Sequence, residues 1–142
     1  MSEELENLAW TGRIKREPPD QSEFDGLIQQ GEDKLRDSQT LTLSLVSRFD
    51  LLYGASHSFA LAALRWHGYR SDQRKVVFQT VQHTLGLSAD VWRVLDKSHT
   101  SRNLADYGGQ FQVSEQLFKD LLAATKMVRD AVLKLGPISP QV

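Results

Sequence analysis

The chain contains no cysteine. That excludes disulfides, zinc–thiolate sites and cysteine nucleophiles together, and it is compatible with a cytoplasmic setting. Neither sign of charge is in surplus: 17 Lys and Arg stand against 18 Asp and Glu, a formal net charge of −1. No global basic field therefore draws the chain to nucleic acid, and any such site has to be a local patch. No run of about 18 apolar residues is present, so no membrane-spanning helix is predicted. Met1 to Glu6 are acidic and lack a basic stretch followed by an apolar run, so they do not read as a signal peptide. Internal repeats and low-complexity segments are also missing. What remains is 142 residues, 40% hydrophobic and 25% charged, which is the composition of a soluble single domain with one core.

Helical periodicity dominates what is there. Residues 1–19 read as an irregular arm, with a basic run at Arg13, Lys15 and Arg16 before Pro18-Pro19, whose rings disfavour helix just ahead of them. The arm is either loosely packed or docked on the bundle or a partner through Trp10 and Ile14. A first helix is predicted from Asp20 or Ser22, both good N-caps. Phe24, Leu27, Ile28 and Leu35 form its apolar stripe, interrupted by Gly31. Leu41 to Leu45 alternates like a strand, but no other segment offers a convincing partner. A second helix starts between Thr40 and Ser47, where Ser47-Arg-Phe-Asp50 has capping-box spacing. It runs to Trp66 or His67, with Gly68 as C-cap. Its centre, Gly54 to Ala63, is rich in small residues, which let another helix approach closely. Asp72 opens a helix through Val76, Val77, Val81 and Leu85, stopped by Gly86. Ser88 caps the next, with Val91, Trp92 and Leu95 inward, ending at Gly108-Gly109. The last starts near Ser114, buries Leu117, Phe118, Leu121, Leu122, Val128 and Leu135, and stops at Gly136-Pro137. The predicted fold is all-α: an antiparallel four- to five-helix up-and-down bundle over residues 20–136, with a tail at 137–142.

The helix before Gly108 carries the most chemistry. His99, Arg102, Asn103, Asp106 and Tyr107 are three or four residues apart and share one face. Such a face is either solvated surface or a site. Arginine's planar fork pairs bidentately with phosphate and stays charged. Histidine's pKa near neutrality suits proton transfer. Arg102 is thus the candidate phosphate clamp, His99 the acid/base, and Asn103 a hydrogen-bonding group for phosphate or ribose. Tyr107 is a candidate donor or stacking platform. The purely structural reading pairs Arg102 with Asp106 along the helix, worth about 0.3–0.5 kcal/mol, and leaves His99 and Tyr107 to packing.

A second patch, Arg65-Trp66-His67-Gly68-Tyr69-Arg70 followed by Arg74-Lys75, interleaves aromatic and basic residues. Arg65, Arg70, Arg74 and Lys75 are candidate nucleic-acid contacts, together with Tyr107. Equally, Trp66 and Tyr69 plug the end of the bundle while the arginines stay solvated. His57, among small residues, reads as a core or interface histidine. His67, His83 and His99 lack metal-ligand spacing, so no metal or other cofactor is predicted. Gly108-Gly109 without a preceding strand is not a nucleotide fingerprint.

Over roughly residues 40–135 the layout resembles the HEPN superfamily, small helical bundles of prokaryotic toxin–antitoxin and defence systems. Three features carry the resemblance: the small-residue helix from Tyr53 to Leu64, the helix that follows Gly68-Tyr-Arg70-Ser-Asp, and Arg102-Asn103 near the end of the next. The resemblance implies a homodimer. In the family's ribonucleases it implies metal-independent RNA cleavage at a site shared by two subunits, through Arg, a polar residue, a short spacer and His. Here the motif is degenerate, because Tyr107, Gly108 and Gly109 stand where the histidine belongs. A second register, Arg93 to His99, has the spacing, but Val94 follows Arg93 where a polar residue is usual. The leading expectation is a non-catalytic, homodimeric interaction protein acting through a nucleotidyltransferase-like partner or nucleic acid. The alternatives are a metal-independent endoribonuclease using His99 with Arg102 or Arg93, and a bundle with a ligand pocket beneath Gly54 to Ala63.

Overall fold

The computed structural model describes residues 2–108 and 113–139, with backbone alone for 104–108. Within these limits the chain is mostly helical: α1 (Glu3–Trp10), α2 (Gln21–Ser38), α3 (Leu45–Trp66), α4 (Arg74–Gln79), α5 (Val81–Thr84), α6 (Ala89–Gly108) and α7 (Glu115–Leu133). Local chemistry sets the ends. The Asp20 carboxylate accepts from the Ser22 N–H at 3.0 Å, and the Ser114 hydroxyl accepts from the Leu117 N–H at 3.0 Å, each satisfying a donor the helix cannot. Ser44, three residues before Ser47, caps α3. Gly68, at φ 87°, turns the chain out of α3 through a conformation that side chains resist. The helix expected from Asp72 to Leu85 breaks at Thr80. The Thr80 hydroxyl donates to the Val77 carbonyl at 2.6 Å and that of Thr84 to the Thr80 carbonyl at 3.2 Å, competing with the backbone ladder.

Helix α3 is the axis of the core. Ala55, Phe59, Ala60, Ala62, Ala63 and Leu64 are fully buried. Gly31 is the reason α2 comes so close, since a Cβ there would lie 2.6 Å from the Phe59 ring. What reads as a gap in the α2 stripe is its point of nearest approach. Arg48 donates to the Ser38 carbonyl at one end of the α2–α3 pair, and Arg65 reaches Glu23 at the other, so the two helices are antiparallel. Contacts of Tyr53 with His99 and Asp50 with Arg102 run α6 antiparallel to α3 as well. In contrast, α7 runs with α3: Arg48 lies over the Phe118 ring at 4.7 Å, and the Trp66 indole donates to the Gly136 carbonyl at 3.1 Å.

Residues 1–19 differ most from expectation. The segment read as irregular holds α1 and a strand, β1 (Lys15–Arg16), paired antiparallel with β2 (Tyr69–Arg70). Ile14 does anchor it, at 2% exposed, with Leu5 at 1%, whereas Trp10 is 86% exposed and anchors nothing among the described residues. The cause lies on α3. Arg65 is 2% exposed, and a buried guanidinium needs every N–H met. Its Nε donates to the Glu23 carboxylate, Nη1 to the Glu17 and Tyr69 carbonyls, and Nη2 to the Pro18 carbonyl at 2.7 Å. Arg70 bridges the same two carboxylates, Glu17 and Glu23. Nearby, Arg16 and the Tyr69 hydroxyl both donate to Glu6. Burial and then the Glu6 carboxylate push the Tyr69 hydroxyl up to about 12. For Glu23, burial is the strongest single influence and raises its pKa, but the donors of Arg65 and Arg70 together outweigh it and hold the carboxyl below its ordinary range.

Candidate functional site

The predicted trio on α6 does converge, and it converges with residues from α3 and α4. Tyr53, Asp72, Arg74, His99, Arg102 and Asn103 line an open cleft of about 420 Å³. His99 is its centre. Nδ1 lies 2.7 Å from the Tyr53 hydroxyl and Nε2 lies 3.1 Å from the Asn103 amide nitrogen. An amide nitrogen only donates, so Nε2 is the acceptor and Nδ1 carries the proton and donates to Tyr53; the tautomer is assigned from this network. The imidazole stacks on the Tyr53 ring at 6.2 Å and meets the Phe78 ring edge-on at 6.1 Å. Phe78 is fully buried, so the base sits against a rigid apolar wall.

The cations come from two helices. On α6, Arg102 Nε pairs with Asp50 of α3 at 2.9 Å, a contact between helices; the side chain of Asp106, its expected partner along the helix, lies outside the described residues. At the start of α4, the Arg74 guanidinium lies 5.3 Å from the Tyr53 ring centre, a cation–π contact, and it makes no ion pair among the described residues. These surroundings shift His99. Burial lowers its pKa most, Asp96 opposes from one turn earlier, and Lys75 and Arg74 lower it further. The net shift is downward and keeps the ring neutral at pH 7. Asp96 Oδ1 is buried with no hydrogen-bond partner among the described residues.

The remaining predicted residues separate. Arg65 is removed from the nucleic-acid set, because it is buried and its donors are committed to the arm. Arg70 is paired with Glu17 and Glu23. Only Arg74 and Lys75 of that patch stay exposed without ion pairs among the described residues. Arg93 pairs with Asp90 at 2.9 Å. Six residues rotate a helix by about 240° relative to His99, so the second register does not converge. The side chains of Asp106 and Tyr107, and Gly109, lie outside what the structure describes. Among the described residues no three His, Asp or Glu side chains gather as a metal site.

Two cleft residues were missed by sequence reasoning, Tyr53 and Asp72. Tyr53 had a signal, since it lies three residues after Asp50 on α3, but its partner is 46 residues away. No protein-family model matches this chain, and no curated protein or solved structure matches it either.

Proposed function

We propose that this is a HEPN-like helical bundle whose cleft binds RNA phosphodiesters and cleaves them without a metal. One observation carries the reading: a neutral imidazole, fixed in orientation by Tyr53 and Asn103, shares an open cleft with two arginines from different helices. Position and charge together match what transesterification needs. His99 Nε2 takes the proton of a ribose 2′-hydroxyl in exchange for its bond to Asn103. The 2′-oxygen then attacks phosphorus, while Arg74 and Arg102 stabilise the charge on the non-bridging oxygens. The 5′-oxygen leaves and is protonated by water, giving a 2′,3′-cyclic phosphate and a 5′-hydroxyl. Tyr53 keeps the proton on Nδ1, so that Nε2 is the basic nitrogen.

The test is cleavage of single-stranded RNA in chelator by the full chain and by His99→Gln and Arg74→Gln, with matched circular dichroism. Cleavage lost in both folded variants supports the reading; equal rates in all three proteins overturn it. A non-catalytic, homodimeric interaction role, with a nucleotidyltransferase-like partner, is the second reading. Leu41, Leu43 and Val46, 81%, 40% and 40% exposed at the turn into α3, favour it. A monomeric mass at micromolar concentration removes its dimer.

A further inference from the structure

Tyr53, Gly54 and His57 lie three, four and seven residues after Asp50, the spacing of a single α3 stripe. At 1.5 Å per residue the stripe runs about 10 Å along the helix. Neighbouring elements lay a cation on each of its first three residues. Arg102 of α6 sits on Asp50 and Arg74 of α4 lies over Tyr53. Lys34 of α2 crosses Gly54, where a Cβ would fall 3.2 Å from its Cδ and 3.4 Å from its Nζ. Glycine at this position is what lets the lysine lie down on α3.

His57 ends the stripe. It meets Phe78 edge-on at 5.9 Å, so the one buried ring carries His57 on one contact and His99 on another. His57 makes no hydrogen bond among the described residues. The groups facing it are Tyr53 and Gly54 of its own helix, Lys34 of α2, Arg74 and Phe78 of α4, and His99 of α6. Burial, then Arg74, Lys34 and His99, push it down to about 4. Of the other arginines, Arg16, Arg36, Arg65, Arg70, Arg93 and Arg129 pair with carboxylates, and Arg48 is taken up by the Ser38 carbonyl and the Phe118 ring. Lys34, Arg74 and Lys75 make no ion pairs among the described residues. Among the described residues the acidic groups at this row are Asp50, which takes Arg102, and Asp72 and Asp96, neither of which is paired with Lys34, Arg74 or Lys75. Like charges gathered without counter-ions repel, and a ligand of opposite sign removes that cost.

We propose that the cleft continues along α3 to a second phosphate subsite formed by Lys34 and His57, so that the site takes single-stranded RNA over two consecutive phosphates. The first phosphate lies at Arg74 and His99, the next at Lys34 and His57. The inference rests on the phosphodiester reading above. His57 here is a binding residue: neutral while the track is empty, it takes up a proton when a phosphate arrives beside it.

The experiment uses the full chain with two probes that it cannot cleave, uridine monophosphate and a 2′-O-methylated uridine tetranucleotide. Lys34→Gln is expected to weaken tetranucleotide binding about three- to tenfold and to lower its salt slope by about one. Monophosphate binding stays unchanged in that variant, while Arg74→Gln weakens both probes. In the wild type, the tetranucleotide moves the His57 imidazole resonance toward an ordinary histidine pKa, a shift that a purely structural histidine does not show. If Lys34→Gln and His57→Gln bind the tetranucleotide as the wild type does while Arg74→Gln loses it, the second subsite is wrong and the cleft survives. If the wild type binds neither probe, the cleft reading falls and the subsite with it.

Discussion

Helix α3 carries two arginine-rich clusters, about 18 Å apart between residues 53 and 65, and they are built on opposite rules. At the C-terminal end, Arg65 and Arg70 share Glu17 and Glu23, and backbone carbonyls take up the remaining buried donors. That cluster is complete in itself and holds the arm. Toward the N-terminal half, Arg74 and Lys34 lie against α3 beside neutral histidines, without carboxylate partners among the described residues. Composition alone makes the two look alike. The difference is satisfaction of charge: the first needs nothing further, and the second is left short of negative charge.

The largest effects come from exchanging damage between the two regions. Arg65→Ala leaves Glu23 with Arg70 alone and removes the donor to three carbonyls, and it is expected to cost on the order of 3 kcal/mol of stability, read as a drop in the denaturant midpoint. His99→Gln is expected to slow RNA cleavage by about 10²–10⁴-fold with the midpoint held within about 1 kcal/mol. A cleavage defect in the folded fraction of Arg65→Ala erases the distinction.

Acid separates the regions next. His57 has a folded pKa of about 4 against 6.5 unfolded, so the unfolded chain binds the extra proton between these values. Its contribution is whole above pH 6.5 and is lost as pH falls to about 4, on the order of 2–3 kcal/mol. Glu23 has a folded pKa below the ordinary 4.5, so its contribution is whole above that and lost only beneath it. Thermal unfolding of His57→Gln from pH 7 to 4.5 is expected to be flatter than wild type. Parallel curves refute the assignment.

Gly31→Ala sharpens the packing side, because the new Cβ meets the Phe59 ring at 2.6 Å. About 1–3 kcal/mol is expected, again by denaturant midpoint, against no loss at Gly26, where a Cβ meets nothing. The smallest effect belongs to Arg93→Ala, on an exposed pair with Asp90. Stability within about 0.5 kcal/mol and unchanged cleavage are expected, and a cleavage defect revives the Arg93–His99 register.

Much of the fold was legible because it is local. The Asp20 and Ser114 caps, the Gly68 exit and the apolar stripes of α2 and α7 follow from neighbours within a turn. Two of the three α6 site residues were also legible as a pair, since Asn103 and His99 touch across four residues. The arm was not legible, because Arg65 bonds residues 42 to 48 positions earlier and nothing local marks that arginine as buried. The cleft was read in two halves, Arg74 as part of one patch and His99 as part of another. Only the packing of α4 and α6 against Tyr53 and Phe78 joins them.

The place where the chain enters the bundle is also where it leaves. The Ile138 N–H donates to the Gln21 side chain at 2.7 Å, and Gln21, Gly136 and Pro137 border one pocket. In connectivity the bundle is close to a ring. The Gln21 side chain thus ties the start of α2 to the residues that follow α7, so that loosening either one loosens both.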